Sequence, residues 1–450
     1  MSKRLILILA LAFVAGFAFT AYAEVQNVKV SGDITMYGVM RNLDIAYVDA
    51  TPDKEQEMIS ITRVRIDADL TDNVAATVRF LNERYWGQQD ETVDNTDIDL
   101  DLAYVTLKQF LPNMFNDHLT LALGRQELRY GNAMIIGDPD TNNVATSASA
   151  LGGTSGDPDL SARKAFDAVK LVLDYDPLVV DIVAAKVEED TKNVADDVNL
   201  YGMNANYKLS NKTLLEGYYW LKHYGRKKDA QVPKGMKTHV LGARMATQLK
   251  DNLSYNLEAA YQFGTYHNET TAARPTVDRR AWGLETALTY AMPNVKYTPS
   301  TTLGYAFFSG EKDSYSEDNR SHYRAWDPMF EDQRFGDIAN ALFDQSNAHI
   351  LMASGSMKPA DDITVTGEYY AYWWDKPYSE GASVVTRRAD SVTATDSKFV
   401  AQEIDLKATY DYTEDVQFGL MTGVLIPGPA FTKESRRTAT EVIGSMKVTF

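Results

Sequence analysis

The feature that most constrains this chain is a period-2 alternation of apolar and polar residues, held for roughly 9 to 12 residues at a time, the length a tilted strand needs to cross a bilayer. Thr62, Val64, Ile66 and Ala68 alternate with Arg63, Arg65, Asp67 and Asp69. Ile98, Leu100, Leu102 and Tyr104 alternate with Asp97, Asp99, Asp101 and Ala103. The same holds for Leu253 to Phe263 against Ser254 to Gln262, and for Ile363 to Trp373 against Thr364 to Tyr370. Period two sends successive side chains to opposite faces of a sheet. Strands of soluble sandwiches average about five or six residues. The longer runs therefore predict a barrel with an apolar outside and a polar inside.

The punctuation between the runs supports this. Short turn signals fall at Thr71-Asp72-Asn73, Asp174 to Pro177, Ser210-Asn211-Lys212, Lys250-Asp251-Asn252, Pro359 to Asp362 and Thr413-Glu414-Asp415. Longer members of the set lie at 112–118 and 293–300. Between them come long polar stretches near 45–57, 86–96, 129–162, 188–196, 225–235, 267–278, 311–345, 376–398 and 427–438. Short periplasmic turns alternating with long external loops mark an outer-membrane barrel, and the spacing gives about 18 strands. The weakest strand signals are 179–187 and 348–357.

Both ends of the chain agree. Lys3 and Arg4, an apolar run from Leu5 to Thr20, and Ala21-Tyr22-Ala23 read as a secretory signal over residues 1–23. Residues 24–450 would form the barrel, with net charge −19 against −17 for the whole chain, because Lys3 and Arg4 are removed. Downstream there is no apolar run near the ~18 residues of a spanning helix. Val442, Gly444, Met446, Val448 and the final Phe450 alternate, resembling the signal that barrel-assembly machinery reads. Aromatic clusters at Tyr85 and Trp86, Tyr218 to Trp220, Tyr369 to Trp374, and Tyr410 and Tyr412 suit interfacial girdles.

If the apolar faces meet lipid, the opposite residues line a lumen. Arg63, Arg65, Arg79, Lys170, Arg244 and Lys407 would then point inward, with Asp67, Asp69, Asp97, Asp99, Asp101, Glu258, Glu285, Glu368 and Asp405. A charge on the lipid face at midplane costs about 2–4 kcal/mol, which enforces the assignment. Such charges can select solutes as rings or pair across strands to brace a polar wall.

The most distinctive segment is Leu123 to Gly131, reading Leu-Gly-Arg-Gln-Glu-Leu-Arg-Tyr-Gly, followed by Ile135-Ile136-Gly137 and, after a long loop, Arg163 to Val169. Ala306 to Glu311 and Met329 to Gly336 add an aromatic-Ser-Gly element and an acidic-aromatic loop. Here the chain resembles the alginate export family of outer-membrane porins. The resemblance implies a monomeric barrel whose basic constriction pairs with the carboxylates of an exported polyuronate. The matching positions are Arg125, Arg129 and Arg163, with Asp167 as counter-ion. Strict alternation places Arg125 on the face of Leu121 and Leu123, so an inward Arg125 needs a bulge at Gly124. The many inward carboxylates depart from what a polyanion requires and leave the substrate open.

The loop 132–162 carries Asp138-Pro139-Asp140 and Gly156 to Asp159, candidate oxygen ligands for Ca²⁺ at the external surface. It is also a candidate constriction, as is 311–345. No other cofactor is expected. With no Cys, disulfides and thiolate metal sites are out. The six His show no metal-ligand spacing, G-x-S-x-G is missing, and no basic nucleic-acid patch occurs. Chemistry is therefore not expected. The sequence predicts an all-β, transmembrane, up-and-down antiparallel barrel in the outer membrane, in contact with lipid and lipopolysaccharide. The solute is an anionic oligo- or polysaccharide or a small organic acid. The alternatives are a general porin for small polar solutes and a plugged barrel with adhesive loops.

Overall fold

The computed structural model describes residues 27–45, 54–87, 98–139, 158–189, 197–225, 235–267, 276–312, 322–387 and 391–450. The leader at 1–23, Asp97, Asp140 and Asp157 lie outside them. Eighteen strands form one closed sheet: β1 Asn27–Asn42, β2 Glu55–Thr71, β3 Val74–Tyr85, β4 Asp99–Leu107, β5 Leu119–Glu127, β6 Ala165–Asp174, β7 Leu178–Glu188, β8 Val198–Ser210, β9 Thr213–Tyr224, β10 Met236–Lys250, β11 Leu253–Tyr266, β12 Val277–Ala291, β13 Ser300–Phe308, β14 Ala348–Ala360, β15 Ile363–Trp374, β16 Phe399–Asp411, β17 Val416–Pro427 and β18 Ala439–Thr449. Each pairs antiparallel with its neighbours in the chain, and β18 closes on β1 from Asp33↔Thr449 to Asn42↔Thr440. Gly32 and Phe450 exchange backbone hydrogen bonds of 2.8 and 3.0 Å at the seam. Among the described residues no helix is long and apolar enough to cross a membrane; the strands do the crossing. The regions with weak strand signals are β7 and β14.

The short turns follow from their residues. Side-chain oxygens of Thr71, Asp174, Ser210 and Thr413 each accept the backbone N–H two residues on, at 3.2–3.3 Å. That closes a tight reversal and competes with further strand.

The outer face is apolar, as the alternation requires: Val105, Leu123, Val169, Ile182, Leu241, Trp282, Leu303 and Ile404 are all exposed. One expectation is corrected in β4. Arg79 pairs with Leu102 but Phe80 with Leu100, so Asp101 is the extra residue of a bulge. The bulge turns Leu102 to the face of Arg79 and Tyr104 with it; Leu102 is 2% exposed. Ile98 and Leu100 keep the outward face. The girdle is also only partly as expected. Tyr410, Tyr412 and Phe418 cluster on the outside at the short-turn end, and Tyr261 lies against Trp282 at a tilt of 41°. Tyr218, Trp220, Tyr370, Tyr372 and Trp374 instead point inward and are buried.

They are buried because the long-loop half of the lumen is filled. Leu128, Met134, Ile135 and Ile136 from the segment after β5 pack with Phe330, Phe335, Ile338 and Leu342 from the segment before β14. The wall meets them with Phe166, Val183, Leu200, Trp220, Val240, Phe308 and Ile350. The expected polar interior therefore holds for the short-turn half alone.

Candidate functional site: a constriction made by two inward loops

The first loop, residues 128–139, turns back from β5 into the lumen, and wall carboxylates hold its tip. Glu216 accepts the Gly131 N–H at 3.0 Å, and Glu258 accepts the Asn132 N–H at 2.8 Å. The Asn132 amide donates to Asn256 and to Glu285, at 2.9 and 3.0 Å, and its oxygen accepts Arg244 Nε at 2.8 Å. Tyr218 donates to Glu258 at 2.8 Å. Gly131 has φ +59°, and a Cβ there would sit 2.8 Å from the Glu258 carboxylate oxygens, so the tip requires glycine. Of the inward carboxylates that argued against an anionic solute, Glu258 and Glu285 are thus engaged by loop donors.

The second loop crosses from the other wall. Asp327 receives Lys222 at 3.2 Å and Thr238 at 3.2 Å, and its backbone exchanges bonds of 2.8 and 2.6 Å with the Gln262 amide. Burial alone would push the Asp327 carboxyl up; Lys222, Arg279 and the Met329 N–H outweigh it and hold it at about 2. Glu331 is raised by burial, opposed by Arg387 at 2.7 Å and the Gln333 N–H. The two loops join where Phe330 N–H donates to Ile135 O at 3.1 Å and Gly137 N–H to Phe330 O at 2.7 Å. Phe166 meets Phe330 edge-on at 5.9 Å.

Between the loops and the wall lies a cavity of about 360 Å³, lined by Arg129, Asn132, Glu285, Asp332, Gln333 and Arg334. Arg129 ion-pairs with Asp332, yet its side chain is 56% exposed. Arg334 donates to Asp159 O at 2.6 Å and is 49% exposed. Two guanidiniums, two amides and two carboxylates therefore face one space. Such a set can bind a carboxylate through the planar forks and hydroxyls through the amides and acids.

The residues singled out in the sequence separate into three groups. Arg129 lines the cavity, and Arg244 positions its lining through Asn132 and Glu216. Arg63, Arg65 and Arg79 point inward but pair with Asp33 at 2.9 Å, Asp67 at 2.7 Å and Asp101 at 2.5 Å. Arg163 pairs with Asp99 near the long-loop end. Lys170 lies on the lumenal face between the buried Ala168 and the half-buried Val172. Arg125 and Asp167 depart from the expectation. The register Ala103↔Arg125, Tyr104↔Gly124, Val105↔Leu123 runs without a shift, so Gly124, despite φ +128°, does not change the face. Arg125 stands with Leu123 and Val105 on the outside and bonds Asp167 at 3.2 Å across the strand pair. Of the calcium candidates, Asp138 pairs with Lys164 and Asp159 with Arg41. Sequence reasoning missed Asn132, Gln333 and Arg334. Their only signal was polar residues set beside apolar ones inside loops.

The chain matches the family model described as "Alginate export" over residues 48–445. Among solved structures it resembles OccK3 (OpdO) of Pseudomonas aeruginosa at 11% identity, covering 95% of this chain and 97% of that one, with a TM-score of 0.55. OccD3 (OpdP) of the same organism shows 12% identity, 96% and 94% coverage and a TM-score of 0.53. OccAB1 of Acinetobacter baumannii shows 11% identity, 96% and 98% coverage and a TM-score of 0.56. No curated protein matches the chain.

Proposed function

The chain belongs to the alginate export family, and on that premise we propose that it is a passive outer-membrane channel for an anionic saccharide or small organic acid. The observation that carries this is the cavity between the inward loops, where Arg129 and Arg334 keep about half of each side chain open. Like Arg129 with Asp332 and Arg334 with Asp337, the wall cations Arg63, Arg65, Arg79 and Arg244 face Asp or Glu partners, but none of their side chains is more than 37% exposed. A carboxylate crossing the constriction exchanges water for the guanidinium forks, while hydroxyls exchange water for Asn132, Gln333 and Glu285. Passage follows the solute gradient. One chain closes the barrel by itself, so forming the lumen needs no second copy.

A second reading has its own observation. The apolar contacts among Ile135, Ile136, Phe330 and Phe335 fill the long-loop half, as a plugged barrel with adhesive loops would require.

Conductance of the refolded protein in a planar bilayer separates the two. An oligouronate is expected to block the current where a neutral oligosaccharide does not, and Arg129→Ala with Arg334→Ala to relieve the block. Current indifferent to both sugars would leave a general porin. Absence of current would establish the plugged barrel.

A further inference from the structure

The helix of the second loop, α1 (Asp337–Leu342), rests on a part of the wall that gathers more carboxylates than cations. Asp337 opens the helix; Glu368 on β15 and Asp405 on β16 lie directly opposite each other across their strand pair. One carboxylate oxygen from each of the three lies within 4.8 Å of the others. A fourth acid, the fully buried Glu403, is already engaged: its two oxygens accept the Ile338 and Ala339 N–H groups at 2.7 and 2.9 Å. Two cations reach the group, and Arg334 is the more distant, 3.9 Å from the Asp337 carboxylate. Lys407 Nζ lies 2.9 Å from Asp337 and 2.7 Å from Glu368. Asp405 is 1% exposed, and although the Asp337 N–H and the Glu403 carboxyl stand beside it, neither of its carboxyl oxygens is met with hydrogen-bond geometry.

A carboxylate held away from water without a donor is costly, and the surroundings must supply a proton or positive charge. Three convergent carboxylates with no sulfur or imidazole match the oxygen-only ligand sets of hard divalent ions. Lys407 does not bar such an ion. Its side chain is 32% exposed, so the flexible stem has a way out into the lumen.

We propose that Asp337, Glu368 and Asp405 form a calcium site that clamps the second loop to the barrel wall, with Lys407 as the built-in competitor that swings aside when the ion binds. The carboxylates of Glu368 and Asp405 come from the rigid wall and that of Asp337 from the loop. The ion would therefore tie the constriction to the barrel. This site adjoins the cavity at Arg129 only through Arg334, which reaches Asp337, and its test does not depend on what the channel carries.

Terbium, a probe of calcium-like size, serves as the readout on the refolded full chain in detergent. Tyr370 donates to Glu368 at 3.2 Å, close enough to sensitise terbium emission when tyrosine is excited. An acidic chain binds terbium elsewhere too, so the site is defined by differences between variants. The expected result is a saturable, calcium-competed component that vanishes in Asp405→Asn and tightens about tenfold in Lys407→Met, where the competing charge is gone. Shifted migration of unheated against heated samples confirms that each variant is folded. A component unchanged in Asp405→Asn, or no gain in Lys407→Met, overturns the proposal. If Asp405→Asn fails to refold, Lys407→Met alone decides.

Discussion

Four strands show two halves of the lumen side by side. Towards the long loops, β7, β9, β10 and β13 point Val183, Trp220, Val240 and Phe308 inward, each no more than 2% exposed. Towards the short turns the same strands point Asp181, Glu216, Arg244 and Thr302 inward. The loop-side residues pack against the apolar parts of the two inward loops; of the turn-side residues, Asp181, Glu216 and Arg244 hydrogen-bond the polar tip of the first loop at Tyr130, Gly131 and Asn132, and Thr302 bonds Thr289. In a barrel the strand supplies only a face. What that face must be made of depends on which part of the returning chain meets it, an apolar segment or a polar tip.

Removing the cover should break the contrast most. Excising residues 130–136 and bridging the gap with Gly-Ser is expected to raise single-channel conductance several-fold, because the lining then widens to the wall. Unchanged conductance would show that the turn-side half limits flow. Next comes Trp220→Ala, which empties a fully buried site at a cost of about 3–5 kcal/mol, read by denaturant unfolding in lipid vesicles. The acid dependence is more selective. Asp327 is held at about 2, below its ordinary 3.8. Its contribution is thus full above the ordinary value and is lost only as pH falls through about 2. Asp327→Asn should be the less stable protein at neutral pH, and its deficit should shrink as acid protonates the parent. An equal deficit at all pH values would remove Asp327 from the account. Arg65→Ala, in the turn-side half, breaks a pair whose side chains are 37% and 36% exposed, and should cost under about 1 kcal/mol. Arg125→Ala, outside the barrel, should leave any uronate block as it was.

How much of this the sequence carried follows the same division. The strands were legible because lipid tolerates few charges, so the outward face of Val64, Ile66 and Leu257 announces itself. The turns were legible from Thr71, Ser210 and Thr413, whose side chains act within two residues. The filling of the lumen was not. Ile135 and Ile136 read as an apolar pair in a loop, and their partner Phe330 lies almost two hundred residues onward. Glu258 and Glu285 read as bare channel charges for the same reason: Asn132, whose N–H and amide they accept, sits on a different hairpin. For Arg125 two sequence arguments disagreed. Alternation grouped it with Leu121 and Leu123, the motif resemblance with the pore, and the unbroken register sides with alternation.

The two inward loops leave the wall between β5 and β6 and between β13 and β14, with eight strands separating them one way round and ten the other. They depart from nearly opposite sides and meet at Ile136 and Phe330, beside Phe166 of β6 and Lys222 of β9, so the second loop makes most of the crossing. Mechanically, this makes them a tie-beam across a hoop. A hollow ring of strands is free to flatten under the sideways pressure of crowded lipids. A ring with a strut across its diameter resists, and load on its rim is carried straight to the narrowest part of the channel.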